Sequence, residues 1–391
     1  MNSVDYNFYD FNFFENLHFN FNLATSKTPE VSIIIPVYNQ INYTLNCLYS
    51  LKEELLQTSC EIIVINDCST DNTLAVLNKI EGITIINNEK NLGFLRNINL
   101  GIEQAKGERV LLLNNDVVVL PNFLKELLVP FKSYENVGAV GAKAIHPTQI
   151  ILEAGSAILN NGTSINLGRE HVPHHPADQG IKVVDYCSGY CLLLNRYLPD
   201  GKLVQLDEHF IPAYYEETDL CMTLKHKYHL DIFYTGFAEL IHFESISYND
   251  NKSAKKQLLL NTNKQKFLEK WKSELKTYAS KNVNPYLSVN KYYNGQAKVY
   301  LNDKISSGFE QELLNNYQIK DAYIILVYKK IPNKKMLDSL RRKGIDVRYP
   351  YIDRKNKTIS YFKLLKRLKQ LGYTMETNSL YYKFLLATIK S

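Results

Sequence analysis

The stretch Leu111 to Pro121, LLLNNDVVVLP, sets two amides and one carboxylate between aliphatic runs of the kind that form a buried strand. Burying an unpaired carboxylate is costly, so Asp116 at the end of such a run either caps a turn or holds something cationic. Farther on, YYEETDLC brings Glu216, Glu217 and Asp219 to the start of a helical period. The helix dipole favours acids there, and the same carboxyls are candidates for a general base. A third group, His171, His174 and His175 with Asp178, is spaced by prolines and lacks a partner pair, which reads as a mobile loop in preference to a zinc centre. The chain has no G-x-G-x-x-G after its first strand, no G-x-x-x-x-G-K-[ST], no H-E-x-x-H and no G-x-S-x-G. A dinucleotide oxidoreductase, a P-loop phosphotransferase, a zincin and a serine hydrolase therefore lose ground.

The elements that must position these residues follow a regular rhythm. VSIIIPVYN (31–39), EIIVIND (61–67), ITIINN (83–88) and RVLLLNND (109–116) are short β-rich runs separated by helical periods. That alternation predicts βαβ units and a mostly parallel sheet, in which ligands bind at the carboxyl ends of the strands. Tyr38, Asn39, Asn66, Asp67, Asn88 and Asn114 to Asp116 should then converge on one rim. Order loosens through 137–180 and returns at VVDYCSGYCLLLNR (183–196), followed by a helix from near Tyr215 and strands around Ile232 and Leu240. A basic amphipathic helix over 251–280, containing Trp271, closes the domain.

A domain over 29–280, a linker over 281–295 and a small α/β domain over 296–391 are expected. Residues 1–28 form an aromatic arm that packs on the domain or on the mate of a homodimer; contact with lipid headgroups is the rival reading, weakened by the scarcity of basic residues.

With 391 residues and 45% hydrophobic content the chain has room for two globular domains. A net charge of +6 without an arginine-rich arm argues against a nucleic-acid partner. Six scattered cysteines suit reduced thiols in a cytoplasmic protein. No apolar run approaches the roughly 18 residues of a membrane span, and the N-terminus has no signal-peptide pattern, so any membrane contact is peripheral, on the inner face of the plasma membrane.

VSIIIPVYNQ, EIIVINDCSTDNT, NEKNLGFLRNINLGIEQAKGERVLLLNND, CSGYCLLLNR, EETDLCMTL and IHFESIS occur in an order and spacing that resembles the family-2 inverting glycosyltransferases of the GT-A fold, closest to the bacterial rhamnosyltransferase-like branch. The resemblance covers about 30–275. It implies a Rossmann-like GT-A domain that moves a sugar from a UDP-, dTDP- or GDP-sugar to a hydroxyl of a growing glycan, glycolipid or glycoprotein. It also implies a divalent cation, Mn²⁺ or Mg²⁺, held by few protein ligands.

Residue by residue, the resemblance makes Asp116 the metal carboxylate and His242 a further metal or phosphate contact. Asn114 and Asn115 replace a charged residue of the family's motif and would bind ribose or sugar hydroxyls. Glu217 matches the base position, with Glu216 as the competing carboxyl and Asp219 as a structural or acceptor-orienting one. Pro36, Val37 and Tyr38 resemble the contact to base and ribose, and Asp67 the carboxylate that reads the base edge. Asn91, Gly93 and Asn97 fall where a loop closes over base and diphosphate, and Ser188, Gly189 and Tyr190 where donor sugar meets acceptor. Loop 168–180 would be an acceptor-side flap. The rivals are a degenerate glycan-binding subunit and a sugar-1-phosphate nucleotidyltransferase; the second is disfavoured because PVYNQ replaces a Gly-rich basic loop.

Overall fold

A computed structural model describes residues 3–21, 23–244, 253–280, 297–302, 307–319, 323–353, 355, 357–370 and 375–376. The N-terminal arm contains α1 (Phe11–Asn16), capped by the Asp10 carboxylate on the Phe13 amide. Its rings are spent on packing: Tyr9, Phe13, Phe14 and Phe21 surround Tyr49. Asn46 clamps the arm by accepting from the Tyr9 amide and donating to the Tyr9 carbonyl, and Gln149 does the same for Val4.

The main sheet begins with β1 (Val31–Val37), β2 (Cys60–Asn66), β3 (Thr84–Asn87) and β4 (Arg109–Leu113), linked by α2 (Ile41–Leu51), α3 (Thr73–Leu77) and α4 (Phe94–Gln104). All pair in parallel, β1 between β2 and β4, with β3 outside β2. β1 and β2 are rich in β-branched residues and almost wholly buried, as strands covered on both faces must be. Gly101 lets α4 lie close on them: a Cβ there would fall 2.4 Å from Ile34 Cγ2.

Next come β5 (Val117–Val119), α5 (Phe123–Ser133), β6 (Val137–His146), β7 (Ile150–Glu153), the hairpin pair β8 (Ser156–Ile158) and β9 (Ser164–Asn166), β10 (Ile181–Val184), β11 (Cys191–Asn195), α6 (Glu216–Tyr228), β12 (Asp231–His242) and α7 (Ser253–Lys270). The sheet has ten strands in the order β10-β12-β6-β11-β4-β1-β2-β3, with β5 on β12 and β7 on β6. Beyond β4 it is mixed, because β11 runs antiparallel to both β4 and β6. The carboxyl ends of β1, β2, β4, β6 and β12 and the amino end of β11 consequently share one rim.

Two sequence expectations change in detail. The strands expected around Ile232 and Leu240 are one strand, β12, whose register against β6 shifts between Thr235 and Glu239. The helix expected over 251–280 ends at Lys270, and the chain turns through a short 3₁₀ segment, Glu274–Thr277, with Trp271 buried.

The C-terminal unit contains β13 (Ala297–Asn302), α8 (Ser307–Asn316), β14 (Tyr323–Tyr328), α9 (Lys334–Arg342), β15 (Asp346–Arg348), the pair β16 (Tyr351–Ile352) and β17 (Thr358–Ile359), α10 (Tyr361–Gln370) and β18 (Met375–Glu376). Its sheet, β15-β14-β13-β18, is parallel. The linker expected over 281–295 lies outside the described residues. One apolar cluster runs from the main sheet to Val299, Ile325 and Leu365, so the two sheets share buried surface. Arg342 adds a bidentate pair to Glu126 at 2.7 and 2.8 Å and lies over the Phe237 ring.

Candidate functional site

β5 and β12 pair antiparallel with His242 opposite Val117, which brings the imidazole beside Asp116. His242 Nε2 and Asp116 Oδ1 face each other at 3.3 Å, both residues are buried, and Oδ1 has no hydrogen bond. A buried carboxylate oxygen left without a donor is expensive unless a cation completes it. A nitrogen and an oxygen converging at this separation suit two neighbouring ligands of one divalent ion, with the remaining positions left for phosphate and water. Asp116 and His242 therefore fit such an ion. The Tyr190 ring packs on His242, at 4.8 Å between centroids, and fixes its orientation.

Tyr190 belongs to the loop entering β11, and its carbonyl accepts the Asn114 amide. In the same loop Ser188 gives its amide and its hydroxyl to Glu153, at 3.0 and 2.5 Å. Glu153, at the end of β7, is 1% exposed, and burial pushes its carboxyl up to about 7; the Ser188 bonds oppose that, the Glu217 charge adds to it and His242 subtracts. Sequence reasoning passed over Glu153. Its signal was a lone acid after a buried aliphatic run, IILE, the same signature that singled out Asp116.

Glu216 and Glu217 open α6 from the other side of this loop. A Cβ on Gly189 would sit 3.6 Å from Glu217 Cβ and 3.3 Å from the Phe94 ring, so Gly189 packs closely between the two. Each glutamate has one buried, unbonded oxygen. Burial raises both carboxyls above the usual range, and the Glu217 charge raises Glu216 further. Tyr214 and Tyr215 precede the pair with φ of 75° and 76°, a conformation bulky side chains rarely adopt. Buried Asn263 of α7 holds it by donating to the carbonyls of Phe210, Ala213 and Tyr214. Asp219 turns away: its oxygens accept from Trp271 Nε1 at 2.7 Å and Lys270 Nζ at 2.8 Å, which makes it a helix-to-helix tie.

The donor-side residues form a second knot. Asp67 accepts from the amides of Leu92 and Gly93 and from Asn88 Nδ2, which also bonds Asn97 Oδ1; Asn91 Nδ2 reaches the Asp67 carbonyl. The Asp67 carboxylate thus builds the loop at the head of α4 in addition to lining the rim. Gly93, with φ 80° and ψ 167°, holds a geometry that only glycine adopts freely. The Val37 carbonyl accepts the Asp67 amide, Pro36 is half-buried, and the Tyr38 ring is exposed. Asn115 donates through Nδ2 to Thr44 Oγ1 of α2, which ties the N-terminal end of that helix to the rim.

Loop 168–180 departs from the expected mobile flap, because Pro173, Pro176, Ala177 and Asp178 are buried. His171 and His175 face Asp178, whereas His174 is exposed.

Residues 32–154 match the model of glycosyl transferase family 2. The chain carries a family-2 glycosyltransferase domain. The matched residues run from β1 through β7 of the main sheet, and the C-terminal α/β unit lies beyond them. The matched segment includes Asp67, Asp116 and Glu153 and stops before Glu216, Glu217 and His242. Similar proteins include the uncharacterized protein y4gI of Sinorhizobium fredii, 27% identical over 275 residues, 67% of this chain and 29% of that protein. An uncharacterized glycosyltransferase of Haemophilus influenzae is 30% identical over 137 residues, 34% of this chain and 41% of that one. The chain thus spans well under half the length of these two relatives. Among solved structures, the mannosyltransferase PcManGT from Pyrobaculum calidifontis, in complex with GDP-Man and Mn²⁺, superposes with a TM-score of 0.39 at 15% identity, covering 56% of this chain and 58% of that one. Among the described residues no helix is long and apolar enough to cross a membrane.

Proposed function

We propose that this family-2 chain is a metal-dependent inverting glycosyltransferase that moves a sugar from a nucleotide-diphosphate sugar to a hydroxyl of a growing glycan. The observation that carries the reading is the meeting, on one rim, of the Asp116–His242 pair with the acids Glu217, Glu216 and Glu153. Asp116 and His242 would hold a divalent cation, which would supply neutralisation of the charge developing on the leaving diphosphate. Glu217 takes the acceptor proton, and burial raises its affinity for protons, the direction a general base needs. It is ranked above Glu216 because it lies against Gly189, in the loop that the resemblance sets between donor sugar and acceptor. Glu153 holds the Ser188–Tyr190 loop, whose Tyr190 ring in turn orients His242. A single in-line displacement inverts the anomeric centre and needs no protein nucleophile.

The experiment is a thermal-shift screen of UDP-, dTDP- and GDP-sugars with Mn²⁺ or Mg²⁺, on wild type and Asp116→Ala, followed by NMR of the product's anomeric configuration. A metal-dependent shift with one nucleotide, lost in Asp116→Ala, and an inverted product are expected. No shift with any donor, for a folded protein, would transfer the weight to a degenerate glycan-binding subunit.

A further inference from the structure

Loop 168–180 holds a second constellation away from the Asp116 site. His171 Nδ1 is 2.6 Å and His175 Nδ1 3.0 Å from the same oxygen, Asp178 Oδ2, and one ligand atom from each residue lies within 4.8 Å of the others. The two imidazoles stack at 3.7 Å between centroids and 23° between planes. Two imidazole nitrogens crowded onto one carboxylate oxygen are more than a simple N–H···O hydrogen bond requires.

The atoms instead have the character of a ligand set. His175 Nδ1 is buried and makes no aligned hydrogen bond in spite of its short approach to Asp178. The other ring nitrogen, Nε2, meets the Tyr351 hydroxyl at 2.9 Å. A ligating histidine needs such an outer partner, which fixes the tautomer that leaves the inner lone pair free. Around a tetrahedral ion with bonds of about 2.0–2.1 Å, neighbouring ligand atoms stand about 3.3 Å apart, so the two nitrogen–oxygen contacts would open by roughly 0.3 and 0.7 Å to admit one.

We propose that His171, His175 and Asp178 form a binding site for a divalent transition metal of the zinc type, with a solvent molecule as the fourth ligand. Two imidazoles and a carboxylate favour such a metal over Mg²⁺ or Ca²⁺, which prefer all-oxygen shells. The site clips the loop beside the C-terminal unit. Tyr351 belongs to β16, Gly180 lies against the Arg341 backbone of α9, and Lys182, just beyond the loop, is held by the Ala177 carbonyl and by the charges of Asp178 and Asp346.

The test uses the full chain, stripped with chelator and titrated with ZnCl₂ alone, with metal content read by mass spectrometry. Wild type should retain about one zinc per chain with a dissociation constant below about 1 µM, Asp116→Ala should retain it too, and the double variant His171→Ala/His175→Ala should lose it. Retention in Asp116→Ala separates this site from the donor metal, so its fate is independent of the proposed transferase activity. Cobalt substitution of wild type gives a readout that needs no variant: the intense visible absorption of four-coordinate cobalt is expected. No tight zinc in wild type, zinc persisting in a folded double variant, loss in Asp116→Ala, or a weak six-coordinate cobalt spectrum would each overturn the site.

Discussion

Asp116 Oδ1 and His242 Nε2 stand 3.3 Å apart because an antiparallel ladder between β5 and β12 sets His242 opposite Val117. Under the proposed reading the pair offers one carboxylate and one imidazole, so a bound cation is expected to depend on the donor's phosphates. Asp116→Ala should lower kcat by about 10²-fold or more, and His242→Ala should lower metal affinity or activity about 10- to 100-fold. Initial rates titrated with Mn²⁺ separate the two: saturating metal should restore part of the His242→Ala loss and none of the Asp116→Ala loss.

The acids of α6 should divide by role. Glu217→Gln should cost about 10²- to 10⁴-fold in kcat with the fold intact, and Glu216→Gln less. Asp219→Asn should instead lower the melting temperature, since it weakens the ties to Lys270 and Trp271. Because burial raises Glu217, the acid limb of the rate profile in wild type should lie above the ordinary glutamate range, the rate falling as the base is protonated. A limb at or below pH 4.5 would remove Glu217 from the role.

Glu153 makes stability pH-dependent. Its carboxyl titrates at about 7 when folded and near the usual 4.5 when unfolded, so between those values the folded chain holds the extra proton. Its contribution is fully present below 4.5 and is lost as pH rises to 7, a change of about 3 kcal/mol. Glu153→Gln, which stays neutral, should flatten the dependence of melting temperature on pH across that window. Equal slopes in wild type and variant would contradict the assignment.

The loop at the head of α4 depends on Asp67 and Gly93. Asp67→Ala strands the Leu92 and Gly93 amides and should cost about 1–3 kcal/mol, while Gly93→Ala forces a non-glycine residue into a strained conformation at a similar cost. Both should raise KM for the donor more than they lower kcat. Denaturant melts and donor titrations would show whether the two effects travel together.

Between the two sheets, the Arg342–Glu126 pair is bidentate and partly shielded. A double-mutant cycle with Arg342→Ala and Glu126→Ala should give a coupling of about 1 kcal/mol. Coupling indistinguishable from zero would leave the shared apolar surface as the main tie.

The sequence by itself determined the strands, their polar ends and the acids of α6, because these depend on local period: a buried aliphatic run followed by a polar residue is a strand reaching a rim. It also singled out the histidine loop, but lack of a neighbouring partner in sequence argued against a metal there. Tertiary structure decided what pairing across distance decides. Register between β5 and β12 joined His242 to Asp116, and β7 delivered Glu153 to Ser188. The packing of α7 took Asp219 out of the acid cluster, the fold of α2 engaged Asn115 through Thr44, and β16 supplied Tyr351 to His175. Each of these is a contact between segments far apart in the chain, whose partners no periodicity can name. Only the packed sheet brings them within hydrogen-bonding reach.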